Sequence, residues 1–267
     1  MKIVDLTEEY EDLYLVCLED WSDDMKESGD HKCRWYEKMK TSGLGVKLAI
    51  DDDGKAGGMI QYVPIEHSEA EGENLYFIKC IWVHGHKEGR GNFQGKGMGK
   101  ALLEAAEQDA KSKGAMGMAA WGISLPFWMK ASWFKKQGYK KADKQSIQML
   151  MWKPFSDDVT PPKWIKPMKK PAANTNPGKI TITAFSSGWC QVENIVYERV
   201  KRAAKEFGNK VVFTNIDTLD RKTFLEWGIS DAIFIEDKEL QTGPPPSYDK
   251  IYNLLAKHVK KLKNKAV

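Results

Sequence analysis

The chain has few cysteines, no long apolar run and only a small surplus of charge. Its four cysteines, Cys17, Cys33, Cys80 and Cys190, include no C-x-x-C pair, so the sequence predicts neither a zinc site nor a disulfide framework. No apolar run reaches membrane-spanning length, and the first residues lack the apolar core of a signal peptide. The net charge of +4 is too mild for a nucleic-acid-binding surface. We therefore expect a soluble, cytoplasmic protein that binds neither membranes nor nucleic acid.

A glycine-rich stretch ahead of a predicted helix is the most informative part of the sequence. It reads Gln94-Gly95-Lys96-Gly97-Met98-Gly99-Lys100. Alternating glycines let the backbone turn with its N–H groups pointing inward, and the first turn of the helix adds free donors and the positive end of its dipole. Such a loop is suited to a phosphate or pyrophosphate. The alternative interpretation is a glycine-rich turn before a surface helix.

Spacing separates three phosphate-binding patterns. A Walker A loop needs Ser or Thr after Gly99-Lys100, but Ala101 stands there, and Gln94 occupies the position of its first glycine. A dinucleotide fingerprint fails because its third glycine comes one residue early. The remaining pattern, Gln/Arg-x-x-Gly-x-Gly/Ala, is satisfied by Gln94, Gly97 and Gly99. It is the acyl-CoA pyrophosphate loop of the GNAT N-acetyltransferase family, which the chain resembles here.

This resemblance implies an α/β chain with the GNAT acyl-CoA N-acyltransferase fold, a mixed and mostly antiparallel sheet with flanking helices. It also implies acetyl-CoA as cofactor, with residues 94–100 around its diphosphate. The predicted strand over 75–83 stands where the family has a central strand whose exposed backbone pairs with the pantetheine arm. The resemblance therefore assigns Ile81, Trp82 and Val83 to cofactor binding.

The segment 125–139 departs from the family pattern. The family often ends this helix with Tyr-x-x-x-Gly-Phe, and Phe134, Gly138 and Tyr139 fit that frame with a phenylalanine in the tyrosine's place. That tyrosine commonly protonates the departing thiolate, and a phenyl ring has no proton to give. Phe127 likewise stands where asparagine is frequent. We expect Phe134 in the cofactor site and take Tyr139 as the candidate acid, with a core position as its alternative.

The family mechanism is direct attack of an amine on the acetyl thioester. It requires a neutral amine and a donor for the developing oxyanion, which the resemblance assigns to an amide near Ile81 to Val83. Glu73, His84 and Glu37 are candidate bases, and no spacing selects among them. His84 and His86 are two residues apart, but without a third ligand nearby we expect a polar loop and no metal site.

Acidic residues fill the connection between the first two predicted helices, which in this family borders the acceptor site. They are Glu19, Asp20, Asp23 and Asp24. These carboxylates are suited to attract a cationic amine, and a solvated acidic loop is the alternative. We expect the acceptor to be an amine of a small molecule or a peptide.

Prolines and lysines concentrate between residues 154 and 178. Prolines there interrupt helices and sheet ladders, and lysines keep the segment solvated. The sequence therefore predicts an acetyltransferase domain over 1–153, a linker over 154–178 and a second domain over 179–267.

The predicted element order of the second domain, βαβ followed by α, β and a last helix, resembles a smaller thioredoxin-like α/β domain. Trp189-Cys190 stands where the thioredoxin family carries its attacking cysteine, and a helix N-terminus favours a thiolate. Glu193, however, occupies the place of the second cysteine, and no proline precedes Ala232. Cys190 is therefore a candidate monothiol, with filling of the helix start as its alternative. The two-domain combination resembles the YoaP-type acetyltransferases.

Two functional hypotheses follow. The first is an N-acetyltransferase that transfers the acetyl group of acetyl-CoA to an amine by direct attack. The second is a monothiol or binding module centred on Cys190, fused to a weakly catalytic domain that binds CoA. The sequence carries no signal for an oligomeric state.

Overall fold

The chain divides into two compact units. The computed structural model describes residues 1–125, 128–173, 175–240 and 244–265. The first unit comprises Met1–Ser22 and Glu37–Ile165, and the second comprises Asp23–Tyr36 and Lys166–Val267. Within the described residues, no helix combines the length and the apolarity needed to cross a bilayer.

The first unit is built on a sheet with helices packed against it. Its strands are β1 (Lys2–Asp5), β2 (Gly45–Ile50), β3 (Ala56–Pro64), β4 (Ala70–Glu71), β5 (Leu75–Val83), β6 (Gly117–Ile123), β7 (Lys140–Gln145), β8 (Gln148–Pro154) and β9 (Lys163–Trp164). Its α-helices are α1 (Glu8–Leu15), α2 (His31–Lys40, which begins in the second unit), α3 (Met98–Ser112) and α4 (Ala131–Lys136).

The main sheet has seven strands in the order β1-β2-β3-β5-β6-β8-β7. All neighbours are antiparallel except β5 and β6, which run parallel. This confirms the predicted α/β class with a mixed, mostly antiparallel sheet. The strand β3 is buried along nearly its whole length because helix α3 covers it with Met98, Leu102 and Ala106, the apolar face that their helical spacing predicts.

Two elements of the first unit differ from the sequence prediction. The strand β7 was not predicted, because Lys140–Gln145 is polar and carries no alternating apolar signal; it lies at the sheet edge, where one polar face is tolerated. The strand β9 lies inside the predicted linker and pairs with β4. Trp164 of β9 is 6% exposed and packs 6.1 Å from the ring of Phe77, so tertiary packing holds this piece of the proline-rich segment.

The second unit contains a four-stranded sheet in the order β11-β10-β12-β13. The strands are β10 (Ile180–Ser186), β11 (Val211–Asp217), β12 (Ala232–Ile235) and β13 (Lys238–Glu239), and the helices are α5 (Gln191–Glu206), α6 (Arg221–Trp227) and α7 (Tyr248–Lys265). The strands β10 and β11 are parallel, and the other neighbours are antiparallel. Helices α5 and α7 pack Val200, Ile251 and Leu255 into the core.

Residues 23–36 belong to the second unit through charged contacts with α5. The buried guanidinium of Arg199 donates to Asp24 at 2.7 Å, to Glu27 at 2.9 Å and to the carbonyl of Pro246 at 3.2 Å. The hydrogen bond from Arg199 holds the pKa of Glu27 below its usual range. His31 Nε2 lies 2.8 Å from Glu198. No local pattern marks the pairing of Arg199 with Asp24 and Glu27 or of His31 with Glu198, because these partners are more than 160 residues apart.

Replacing Arg199 by Met should destabilise the second unit by about 3 kcal/mol, because it leaves two carboxylates without their buried partner. The matched control is Arg202→Met: Arg202 also contacts Glu27 but is 49% exposed, so we expect a loss below about 1 kcal/mol. Urea unfolding of both variants, with hydrogen exchange at amides 23–36, measures the difference. Equal losses in the two variants would contradict the assignment.

Candidate functional site

The glycine-rich loop leads into the N-terminus of α3, with Gly97 as the N-cap residue. Gly95 and Gly97 have φ of 76° and 84°, the left-handed region that glycine adopts without steric cost, and a Cβ on either would meet open space. The Gly97 carbonyl accepts the amide of Ala101 at 3.1 Å. Among the described residues, the amides of residues 95–100 donate to no acceptor. A row of free donors therefore lies at the positive end of a helix dipole.

The side chains of the loop leave its backbone accessible. Gln94 folds back over Gly85, where an added Cβ would lie 2.2 Å from the Gln94 amide nitrogen. Met98 points the other way and is 2% exposed in the core. Lys96 and Lys100 are exposed. The loop thus presents amides and two cations to solvent, an arrangement suited to an anion.

The strand β5 has an open backbone edge beside this loop. Its parallel pairing with β6 ends at Ile78, although β5 continues to Val83 and β6 to Ile123. In the part of the chain that the structure describes, no strand covers this edge beyond Ile78. The indole of Trp121 donates to the Lys79 carbonyl at 2.8 Å and so satisfies one of its acceptors.

The open edge is lined by specific peptide groups. The His84 amide donates to the Gly57 carbonyl on the β3 side, whereas the Lys79 carbonyl is bonded on the β6 side. Peptide groups of successive residues in a strand point to opposite edges. The N–H and C=O of Ile81 and Val83 therefore face the open edge, and those of Trp82 face β3.

The loop, the end of β5 and helix α4 meet at Gly99. A Cβ on Gly99 would lie 3.5 Å from Trp133 and 3.8 Å from Val83. Sequence analysis did not single out Trp133 as a site residue, although it directly precedes Phe134 in the segment that resembles the family. Three elements thus converge around the free amides.

Phe134 and Tyr139 lie in the hydrophobic core, with exposed fractions of 0% and 2% and ring centroids 5.4 Å apart. The hydroxyl of Tyr139 and Oε1 of Glu107 are both buried without a hydrogen bond of normal geometry among the described residues, although they are close enough to interact. Burial raises the pKa of Tyr139 well above its usual range, and nearby Glu107 acts in the same direction. This environment favours the core alternative over proton donation. Phe127 lies outside the described residues.

The three candidate bases have different surroundings, and two of them are already engaged in other contacts. Glu73 is exposed and precedes β5 at the end opposite Val83. The first residue of β5, Leu75, is already about 27 Å from Val83 along the strand. Glu37 is exposed and pairs with Lys40 at 2.6 Å.

The third candidate, His84, is fully buried and both ring nitrogens are engaged. Nδ1 lies 2.7 Å from the Gly91 carbonyl, which can only accept, and Nε2 lies 3.1 Å from the Trp21 indole nitrogen, which can only donate. We therefore assign a neutral ring with the proton on Nδ1. Within the described ranges, no group of three His, Cys, Asp or Glu side chains fits a metal ion.

The four acidic side chains that sequence reasoning singled out between the first two helices, Glu19, Asp20, Asp23 and Asp24, have different partners. Three of them pair with a cation: Asp20 with Arg90, Asp23 with Lys26 and Asp24 with Arg199. Glu19 instead accepts a hydrogen bond from the Trp82 indole at 3.0 Å. The side chains of Asp20, Asp23 and Asp24 are at least half exposed, as the alternative of a solvated acidic loop expects, whereas that of Glu19 is 12% exposed.

In the second unit, Cys190 is the N-cap residue of α5 and is 7% exposed. The loop ahead of it is fixed by Asp231, which accepts hydrogen bonds from the Ser187 amide at 2.9 Å and from the Trp189 indole at 3.1 Å. The start of α5 is thus a rigid and nearly closed position.

Residues 4–126 match the model of the acetyltransferase (GNAT) family. The match confirms the predicted family resemblance for this part of the chain, which includes β5 and the glycine-rich loop. It does not extend into the C-terminal half. No curated protein matches the chain.

Solved acetyltransferase structures are also similar to this chain. The PaiA N-acetyltransferase from Thermoplasma acidophilum, in complex with coenzyme A, is 19% identical, covering 58% of this chain and 99% of that chain with a TM-score of 0.42. The aminoglycoside 6'-N-acetyltransferase from Enterococcus faecium is 14% identical, covering 59% and 98% with a TM-score of 0.43. The ribosomal-protein-alanine N-acetyltransferase from Brucella melitensis is 16% identical, covering 58% and 99% with a TM-score of 0.43. Sequence identities and TM-scores this low do not identify an acceptor for this chain.

Tyr139→Phe should change the free energy of unfolding by less than about 1 kcal/mol, because the buried hydroxyl makes at most a poorly aligned hydrogen bond, to Glu107. The control is Tyr14→Phe, which removes an equally buried hydroxyl that donates to Gln61 at 2.7 Å and should cost about 1–2 kcal/mol. Urea unfolding compares the two. A larger loss for Tyr139→Phe would show a hydrogen bond at that hydroxyl.

Proposed function

We propose that the first unit binds acetyl-CoA and transfers its acetyl group to an amine. The observation that carries this proposal is the row of unbonded amides over residues 95–100, at a helix N-terminus and beside the open edge of β5. Such a row is a ready-made site for a diphosphate. Lys96 and Lys100 add positive charge where the anion would lie.

The open edge of β5 supports a site for the pantetheine arm. That arm carries two amides, and the peptide groups of Ile81 and Val83 offer matching donors and acceptors at this edge. Trp133 of α4 lies against Gly99 of the loop, and the ring of Phe134 packs behind it with centroids 5.0 Å apart. We infer that Phe134 contributes to cofactor binding by supporting Trp133, since its own ring is buried.

In the proposed reaction the amine nitrogen bonds to the acetyl carbon, the carbon–sulfur bond breaks, the amine loses a proton and CoA leaves as a thiol. A peptide N–H at the open edge, from Ile81 or Val83, is the proposed donor to the oxyanion. Because Phe134 has no proton and Tyr139 is buried, we infer that water delivers the proton to sulfur. We infer that water likewise accepts the proton of the amine, since Glu73 precedes the far end of β5, Glu37 pairs with Lys40 and both ring nitrogens of His84 are engaged.

We infer that the second unit is thioredoxin-like. Its order β11-β10-β12-β13, with β10 and β11 parallel and a helix after β10, supports this fold. We do not propose a thiol function for it, because Cys190 is nearly buried and no second cysteine follows in α5. The acceptor in the first unit is proposed to be an amine of a small molecule or a peptide.

Gly97→Glu should abolish acetyl-CoA binding in isothermal titration calorimetry, because it places bulk and negative charge beside the free amides. The control is Gly114→Glu: Gly114 has the same φ of 84° and equally open surroundings but lies at the other end of α3. Both variants should lose about 1–2 kcal/mol of stability to backbone strain. Only the change at Gly97 should alter the Kd, and an unchanged Kd there would refute the proposed site.

Transfer itself is measured by the release of free thiol from acetyl-CoA. The full chain should release thiol with at least one member of a panel of small amines and peptides, and Gly97→Glu should release none. Tight binding of acetyl-CoA without thiol release across the panel would contradict the enzymatic part of the proposal and leave the binding part standing.

A further inference from the structure

Glu19 carries a negative charge that no cation neutralises among the described residues. Its side chain is 12% exposed, and its contacts are the Trp82 indole at 3.0 Å and His84 Nε2 at 3.6 Å. The indole is a neutral donor. An ionised carboxylate so far from water is normally paired with a cation, because its desolvation is costly.

The neutral state of His84 is what leaves Glu19 without a counter-charge. Protonating Nε2 would replace its lone pair with an N–H directed at the Trp21 indole, which is itself a donor. The assigned tautomer satisfies the Gly91 carbonyl and the Trp21 indole together. The 3.6 Å approach to Glu19 is therefore not an ion pair.

Aromatic rings surround this carboxylate. The ring centroid of His86 lies 6.4 Å from that of Trp21 and 6.3 Å from that of Trp82. Trp21 is 45% exposed, His86 is also exposed, and Trp82 is half-buried. The Glu19 cluster, which we define as Glu19, Trp21, Trp82 and His86, combines one uncompensated carboxylate with three ring surfaces, of which at least one is open to solvent. Carboxylates and aromatic faces both attract organic cations.

The cluster adjoins the proposed reaction site. Trp82 lies between Ile81 and Val83, whose peptide groups line the open edge of β5. Side chains alternate along a strand, so Trp82 points to the face opposite Val83, which contacts the glycine-rich loop at Gly99. The proposed diphosphate site and the Glu19 cluster therefore lie on opposite faces of the same strand segment.

We propose that the Glu19 cluster binds a positively charged nitrogen of the acceptor, an inference that rests on the proposed acetyl transfer. This nitrogen is not the one that reacts. A carboxylate beside an ammonium favours its charged form, whereas attack on the thioester requires a neutral amine. The acceptor class is therefore a diamine, or another amine that carries a second, cationic group.

The first test compares 1,5-diaminopentane with 1-aminopentane. In the wild-type protein, kcat/KM should be about tenfold or more higher for the diamine. This ratio corresponds to the free energy of a hydrogen bond to a charged group. Glu19→Gln keeps the shape of the side chain and should remove this preference, mainly through KM. The control Asp20→Asn removes a neighbouring charge that Arg90 already pairs, and should keep the preference.

The second test measures binding without catalysis. Tetramethylammonium cannot be acetylated, and it should shift the indole ¹⁵N–¹H signals of Trp21 and Trp82 in the wild type and in Asp20→Asn but not in Glu19→Gln. Thermal unfolding and acetyl-CoA titration of each variant separate this result from misfolding and from failure of the cofactor site.

Four outcomes overturn the inference: no diamine preference in the wild type, an unchanged preference in Glu19→Gln, unshifted indole signals, or a Glu19→Gln variant that loses kcat equally for both amines. The last outcome would make Glu19 the base. If acetyl-CoA binds and thiol is released without diamine preference, the acetyltransferase function stands and only the cation site fails. If acetyl-CoA does not bind, the indole shifts still decide whether a cation site exists.

Discussion

The parting of two parallel strands is the constraint on which the rest of the first unit depends. Had β5 and β6 stayed paired beyond Ile78, the peptide groups of Ile81 and Val83 would be satisfied within the sheet. Buried backbone donors and acceptors rarely lack a hydrogen-bond partner. Trp121 bonds one carbonyl at this edge, and the remaining groups face an opening. The separation of β5 and β6 therefore leaves an edge with free peptide groups, at which we propose that the pantetheine arm binds.

The second part of the site follows from the first through simple proximity. Val83 ends β5 and contacts the start of α3 at Gly99, so the open edge and the free amides of the loop are neighbours. Residues 84–93 form the loop that connects them, and His84 anchors this loop by hydrogen bonds. The backbone of His84 bonds Gly57 and Phe93, and its ring bonds Gly91 and Trp21. These hydrogen bonds fix the open edge of β5 and the glycine-rich loop, the two halves of the proposed cofactor site, relative to each other.

Features with local sequence signals were predicted, and features made by distant partners were not. The spacing of Gln94, Gly97 and Gly99 predicted the loop, and apolar runs predicted β5 and the order of the main elements of the second unit. No local pattern marks where a parallel pair separates, because that depends on what the neighbouring strands do. Trp164 in a proline-rich segment looked solvated, yet it is buried against Phe77. Tyr139 is buried, as the core alternative expected, and its helix-end motif alone did not decide between a core position and proton donation.

The acidic segment shows the same limit in electrostatic terms. The carboxylates of Glu19, Asp20, Asp23 and Asp24 are equivalent by composition, and only the fold distinguishes them. Three of them pair with a cation, whereas Glu19 accepts a hydrogen bond from an indole. His84 connects this outcome to the rest of the site. The hydrogen bonds that anchor the loop 84–93 require a neutral His84 ring. Because that ring is neutral, it does not act as a counter-ion for Glu19. The stability of the loop and the uncompensated charge of Glu19 therefore have a common cause. A charge maintained by the scaffold in this way is available to a ligand without any rearrangement of the protein.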